Sequence, residues 1–231
     1  MGKIHYYFGW FNAVIPKQVA QALYKDIPDK KSLVIITTIP SDYKHTDEMT
    51  AFAKDIWFEP AGIIFEKYYS IDYRIETEEA HELIKNASAI LLHGGNAAMQ
   101  NAFLNEYKLD DAIKKSNAAV VMGASAGGMN MSAKWVNDYA AEIKIQDGLG
   151  LDNFAIQSHA SCENIEILSC GEDTKKYLIP LSESIDVYVA CEESTIRIKN
   201  GKFEVIGDVY LISKSNIQKM KEVLNFGVLP N

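Results

Sequence analysis

Short apolar runs rich in β-branched residues alternate, up to Ser125, with longer stretches whose apolar positions recur every three or four residues. Runs at 3–8 and 32–39 predict strands, with a helix between them around 16–25. A helix over 46–57 and a strand over Gly62–Tyr68 follow. Thr77–Lys85, with Ala80 and Leu83 facing inward, predicts another helix, and Ala89–Leu92 another strand. Residues 97–106 and 109–115 predict two helices, and Ala118–Met122 a buried strand ending just before Ser125. Such alternation predicts a largely parallel sheet covered on both faces, with ligands bound beyond the carboxyl ends of its strands. After about residue 140 the pattern changes. Phe154–Ser158 is a short strand-like segment. Val187–Ile198 and Phe203–Ile206, joined through Asn200-Gly201, predict a β-hairpin whose turn residues accept positive φ. Ile217, Met220, Val223 and Leu224 recur at helical spacing and predict a last helix starting at Ser215. No linker or repeat divides the chain, so residues 1–231 are expected to form a single α/β domain.

Composition narrows the function. With 48% hydrophobic residues, a packed core is expected, and a net charge of −8 argues against nucleic acid as the main partner. No run reaches the ~18 apolar residues that span a bilayer, and the opening Met1–Phe8 enters a strand without a cleavable signal pattern. Cys162, Cys170 and Cys191 form an odd set without C-x-x-C spacing, for which bystander thiols in a reducing cytoplasm are the simplest account. No H-E-x-x-H, Cys/His cluster, calcium loop or phosphate loop is present, so neither metal nor cofactor is expected.

The chemistry centres on Gly123-Ala124-Ser125-Ala126-Gly127. A G-x-S-x-G between a buried strand and a helix start is the nucleophile-elbow pattern, in which a sharp turn lifts the serine Oγ clear of its neighbours. A second loop, His93-Gly94-Gly95-Asn96, follows the preceding strand and should lie at the same sheet edge. Its glycines let backbone N–H groups face a ligand, as acyl transfer requires where negative charge builds on the carbonyl oxygen. The N–H of Ala126 is the natural second donor. A serine also needs a base. His5 opens a strand, His45 and His81 fall in polar settings, and His93 adjoins the glycine loop, where it would touch substrate. His159, just after Phe154–Ser158, is the best-placed base. The acid that would fix its tautomer is open among Asp138, Glu142, Asp147 and Glu192-Glu193.

The ordered pair of Leu-Leu-His93-Gly94-Gly95-Asn96 and Met-Gly123-Ala-Ser125-Ala-Gly127, followed by His159, resembles the dipeptidase E and cyanophycinase family of serine peptidases. The resemblance runs from the first strand to the Asn200-Gly201 hairpin. It implies a flavodoxin-like three-layer sandwich related to class I glutamine amidotransferases, with a mostly parallel sheet and the C-terminal β-hairpin. It also implies Ser125 as nucleophile, His159 as general base, an oxyanion hole from Gly95 and Ala126, and Asn96 beside the substrate. For the acid it offers Asp138, in Val136-Asn137-Asp138, or Glu193, in Glu193-Ser194-Thr195. The chain departs from the family where His93 replaces the first glycine of Gly-Gly-Gly-Asn and where Ala97-Ala98 follow Asn96. Gly171-Glu172-Asp173-Thr174-Lys175-Lys176-Tyr177 lacks the arginine that recognises an N-terminal aspartate, which puts Asp-X specificity in doubt.

A serine exopeptidase acting on short peptides is the leading expectation, with a small peptide as its partner and neither nucleic acid nor membrane involved. A homodimer is compatible with the sequence. Two other readings differ from it: an esterase or amidase on a small non-peptide acyl compound, and a non-catalytic binding protein that keeps the fold.

Overall fold

The computed structural model describes residues 2–138, 143–158 and 164–223. Five parallel strands form the body of a first sheet: β1 (Ile4–Phe8), β2 (Ser32–Ile36), β3 (Lys67–Ile71), β4 (Ala89–Leu92) and β5 (Val120–Ala124), ordered β1-β5-β4-β2-β3. These strands are apolar throughout because both faces are covered. In β1, Tyr6 and Phe8 enter a cluster with Val19 and Leu23 of α1 (Lys17–Asp26) and with Trp57. Tyr7 points the other way, toward residues of α3 (Thr77–Lys85), α4 (Ala97–Glu106) and α5 (Leu109–Lys115). Trp57 belongs to a π-helical segment, Ala53–Phe58, that continues α2 (Tyr43–Phe52).

A second sheet lies beyond this one and has no counterpart in the sequence reading. Its strands are β6 (Ser132–Asn137), β7 (Lys144–Asp147), β8 (Asp152–Ser158), β9 (Val187–Ala190), β12 (Val209–Ser213) and β13 (Asn216–Lys219), in the order β13-β12-β9-β8-β6-β7. Side chains alternate along it. Phe154, Ile156 and Tyr188 join the Tyr7 cluster, whereas Ala155, Val187 and Val189 pack against Leu168, Leu178 and Leu181. Those leucines come from α7 (Ile165–Cys170), a π-helical turn (Thr174–Leu178) and α8 (Ile179–Leu181). Asp152 ties the two sheets together, since Tyr7 Oη donates to its Oδ2 at 2.6 Å and His5 Nδ1 lies 2.7 Å from the same atom.

Three expected elements change. The strand expected over Gly62–Tyr68 begins only at Lys67, because Gly62 (φ +77°) ends the π-helical segment and Ile63 N–H donates back to Phe58. The run Val187–Ile198 breaks after Ala190, so that β9 joins the second sheet and β10 (Thr195–Lys199) pairs antiparallel with β1 of the first. The hairpin of β10 with β11 (Lys202–Ile206) turns on Asn200 and Gly201, both at positive φ. The helix expected from Ser215 is instead the β12–β13 hairpin. Lys214 and Ser215 both take positive φ, which suits a two-residue hairpin turn, and Ile217 pairs with Ile212. Residues 224–231, including Leu224, lie outside the described residues. The thiol expectation also changes: Cys170 is free and exposed, but Cys191 is disulfide-bonded. Among the described residues, no helix is long and apolar enough to cross a membrane.

The antiparallel edge is fastened by a buried charge cluster. Arg197 on β10 donates to Asp26 through Nε (2.7 Å) and Nη2 (3.0 Å) and through Nη1 to Glu204 on β11. Asp26 also accepts from Tyr6 Oη (2.7 Å) and Lys199 Nζ (2.9 Å). Burial alone would raise the Asp26 carboxyl, but the hydrogen bonds from Arg197, Lys199 and Tyr6 outweigh it and hold its pKa below the usual carboxylate value. Removing one member leaves Arg197 buried with an unmet charge. Asp26→Asn should therefore destabilise the protein by about 3–5 kcal/mol in urea unfolding. Asp111→Asn, which breaks the exposed pair with Lys115, should leave the midpoint almost unchanged. Because the Asp26 pKa is lowered, its contribution should be complete above the ordinary carboxylate range and fall away as pH drops through the native value.

Candidate active site

Ser125 stands between β5 and α6 (Ala126–Met131) with φ 49° and ψ −112°, a conformation costly for a residue with a Cβ. Its surroundings impose that turn. A Cβ on Gly127 would come 1.9 Å from the Leu92 carbonyl oxygen, and one on Gly123 would come 2.5 Å from the Gly128 nitrogen. The backbone therefore passes β4 at glycine-only distance, and Ser125 is carried over the end of the strand. Ser125 N–H donates to the Phe8 carbonyl (2.9 Å), and its own carbonyl accepts from Met129 N–H (3.0 Å).

The glycine loop after β4 meets this turn. A Cβ on Gly94 would approach Trp10 at 2.5 Å and the Ala124 carbonyl oxygen at 3.3 Å. Gly95 has φ +136° and would press a Cβ onto Thr38 Oγ1 at 2.3 Å, while Thr38 Oγ1 donates to the Gly94 carbonyl (3.2 Å). Asn96 caps α4, its side chain accepting from Met99 N–H at 3.0 Å. Ala126 is the first residue of α6, so its N–H has no carbonyl one turn behind it.

His93 does not line the cavity beside Ser125. Its ring is 1% exposed, stacked on Trp57 at 5.7 Å and set edge-on to Trp10 at 5.5 Å, and its Nδ1 lies 3.0 Å from the Gly94 carbonyl. Burial pushes its pKa down to about 4, so the ring is neutral at pH 7, with Nδ1–H donating to Gly94 and Nε2 unpaired. This histidine shapes the loop from behind.

A cavity of about 510 Å³ opens next to Ser125 and is walled by Met129, Asp138, Gln157, Ser158 and Thr174, among others. β8 runs between β6 and β9, parallel to both, and Ser158 pairs with Ala190. Asp138 follows β6 and faces the cavity. Glu193 follows β9 on the other flank of β8. It is exposed, its φ is 58°, its N–H donates to the Trp10 carbonyl (2.8 Å), and it is not part of the cavity wall. His159, next in the chain after Ser158, lies outside the described residues, as does Glu142. Asp147 is on β7, where it accepts from Lys134 (2.7 Å). Among the described residues, no group of three or more His, Cys, Asp or Glu side chains is arranged to hold a metal ion.

Sequence reasoning missed the polar network behind the two loops. Gln100 Nε2 donates to the carbonyls of His93 (3.1 Å) and Ile36 (3.3 Å) and more weakly to that of Thr37 (3.4 Å). Asn130 Nδ2 donates to Gln100 Oε1 (3.0 Å) and to Ala97 (2.9 Å), and Asn101 Nδ2 donates to Asn130 Oδ1 (2.9 Å). These buried amides lock α4, α6 and the ends of β2 and β4 together. The available signal was an amide on the inward side of two otherwise small-residue helices.

Residues 39–206 match the model of Peptidase family S51. The chain belongs to that family. It is also 29% identical, over 194 residues, to Peptidase E of Nostoc sp. strain PCC 7120, covering 79% of this chain and 75% of that protein. Among solved structures, a peptidase from an acI-B1 Actinobacterium superposes with a TM-score of 0.73 at 17% identity, covering 96% of this chain and 95% of the other. A candidate peptidase E protein from Listeria monocytogenes EGD-e superposes with a TM-score of 0.62 at 18% identity, covering 89% and 98%. At those identities the two structures speak for the fold. This S51 chain thus combines a peptidase fold with a strained serine over a cavity.

The His93 ring gives a pH signature. An unfolded histidine titrates near 6.5, whereas this one resists protonation down to about 4. Stability should be unaffected above pH 6.5 and fall as pH drops from 6.5 to 4, by on the order of 3 kcal/mol, then level off. Urea midpoints measured across that range should show the slope, and His93→Gln should flatten it.

Proposed function

We propose that this S51 chain is a serine peptidase that hydrolyses short peptides through an acyl-enzyme on Ser125. The observation that carries the reading is Ser125 itself, held at positive φ at the strand-to-helix turn and opening on the cavity. In the proposed cycle His159 takes the Ser125 Oγ proton as the oxygen attacks the scissile carbonyl, then returns it to the leaving amine. The N–H groups of Gly95 and Ala126 receive the oxyanion, each donor contributing about 2.7–4 kcal/mol to the transition state. Water then repeats the sequence on the acyl-enzyme. Asn96 lies beside the substrate, and His93 supports the loop without touching it. The proposed acid is Asp138, because its carboxylate shares the cavity with Ser125, whereas Glu193 lies off the cavity wall.

A fluorophosphonate probe should label Ser125, as read by mass spectrometry of the adduct, and Ser125→Ala should lower peptide hydrolysis by about 10⁴-fold or more. An unlabelled Ser125, under conditions that label other serine hydrolases, would sink the reading. Comparing dipeptides with simple esters separates a peptidase from an esterase. Asp138→Asn should lower kcat by about 10⁴-fold, whereas Glu193→Gln should leave it within about tenfold of the wild type. The reverse ranking would move the acid to the β9 side.

A further inference from the structure

The cavity wall carries one sign of charge. Among the described residues that line it, Asp138, Glu172 and Asp173 are acidic, and none is a lysine or arginine. Glu172 and Asp173 stand exposed at the rim, where the chain enters the π-helical turn Thr174–Leu178, and neither takes part in an ion pair among the described residues. The nearest cation in sequence that senses both, Lys176, has its Nζ 5.1 Å from the Tyr177 ring centre and is not part of the wall. Carboxylates at the start of a helical segment favour its exposed N–H groups. That role does not explain why unpaired acceptors line the inside of the cavity as well.

Those acceptors are the second observation. Ser158 is 4% exposed, and its Oγ has no hydrogen-bond partner although it lines the cavity. Gln157, beside it on the wall, buries Oε1 with no donor in reach. A buried acceptor left without a donor costs about 1–3 kcal/mol, so a wall with two of them is completed by a ligand that brings N–H groups. An ammonium or guanidinium brings them together with a positive charge, and the rim carboxylates favour that charge. A carboxylate ligand would meet repulsion at the rim and no donor from Gln157 Oε1.

The geometry points to this cavity as a subsite for a cationic group on the acyl-side residue of the substrate, with Glu172 and Asp173 as its specificity-determining carboxylates. The ligand chemistry is an ammonium or guanidinium, carried either by a lysine or arginine side chain or by the free α-amino group. The inference rests on the peptidase reading for the identity of the substrate, but cation binding is measurable without turnover.

The test is calorimetric titration of the full-length Ser125→Ala protein with three probes. Nα-acetyl-lysinamide carries only a side-chain cation, norleucinamide only an α-amino cation, and Nα-acetyl-norleucinamide is neutral. At least one cationic probe should bind tenfold or more tightly than the neutral one, and which of the two does so identifies the source of the charge. The preference should shrink to within about twofold in Glu172→Gln/Asp173→Asn, and should weaken on raising salt from low to high ionic strength. Equal binding of all three probes, no measurable binding of either cationic probe, or a preference that survives the double substitution overturns the proposal. Because both side chains are exposed and their replacements nearly isosteric, the double variant should keep the parent's circular dichroism; the salt titration supplies a readout free of any rim substitution. Fluorophosphonate labelling of the wild-type chain reports separately on Ser125. Labelling without cation preference overturns the subsite alone, and cation preference without labelling overturns the hydrolase reading alone.

Discussion

The close passage of α6 over β4 is the constraint on which the site depends. The Leu92 carbonyl leaves no room for a side chain at Gly127, and Gly128 leaves none at Gly123. With glycine on both sides, the chain reverses from strand to helix inside the sheet's own thickness, and the residue between them takes the strain. That residue is Ser125, anchored by its N–H to β1 and by its carbonyl to α6. A turn this tight persists only when its neighbours over-determine it. Here the Gln100–Asn130–Asn101 amides behind α4 and α6 and the Trp10–His93–Trp57 stack behind the glycine loop do so.

The two sheets divide the labour. The parallel strands of the first supply the turn and the glycine loop from adjacent carboxyl ends, as doubly wound sheets generally do. The second supplies the far wall of the cavity through the ends of β6 and β8 and the helical turns packed on its outer face. Phe154 and Tyr188 carry the packing from one sheet to the other, and Asp152 fastens His5 and Tyr7 of β1 to the start of β8. The distance between serine and cavity wall is therefore set by a hydrophobic layer rather than by a loop.

How much of this was legible follows from the range of each signal. Parallel strands buried on both faces are continuous apolar runs, so β1, β2, β4 and β5 could be read directly, and the helices over 77–85, 97–106 and 109–115 match their periodicity. G-x-S-x-G and Gly-Gly-Asn were readable because they encode local sterics. The second sheet was not, because its strands are short, several are half-exposed, and their pairing joins segments far apart in sequence. Val187–Ile198 reads as one strand because nothing apolar or polar marks the point where it leaves one sheet for the other; only the turn at Cys191–Ser194 does so. Ile217 and Met220 have helical spacing, yet the paired positive φ at Lys214 and Ser215 folds the segment back as a strand. The role of His93 escaped for a related reason: its position beside the glycines suggested contact with substrate, and only the tryptophans from 10 and 57 show it buried.

The placement of β8 between β6 and β9 has a consequence for how such a site diversifies. Both neighbours run parallel to β8 and end level with it, so a carboxylate offered from either side arrives at the same place. Moving the acid from one flank to the other needs one side chain gained and one lost, with no strand shifted and no register changed. The arrangement has two interchangeable sockets around one fixed position, which lets descendants of a common ancestor differ in their acid while the serine, its turn and the sheet beneath it stay the same.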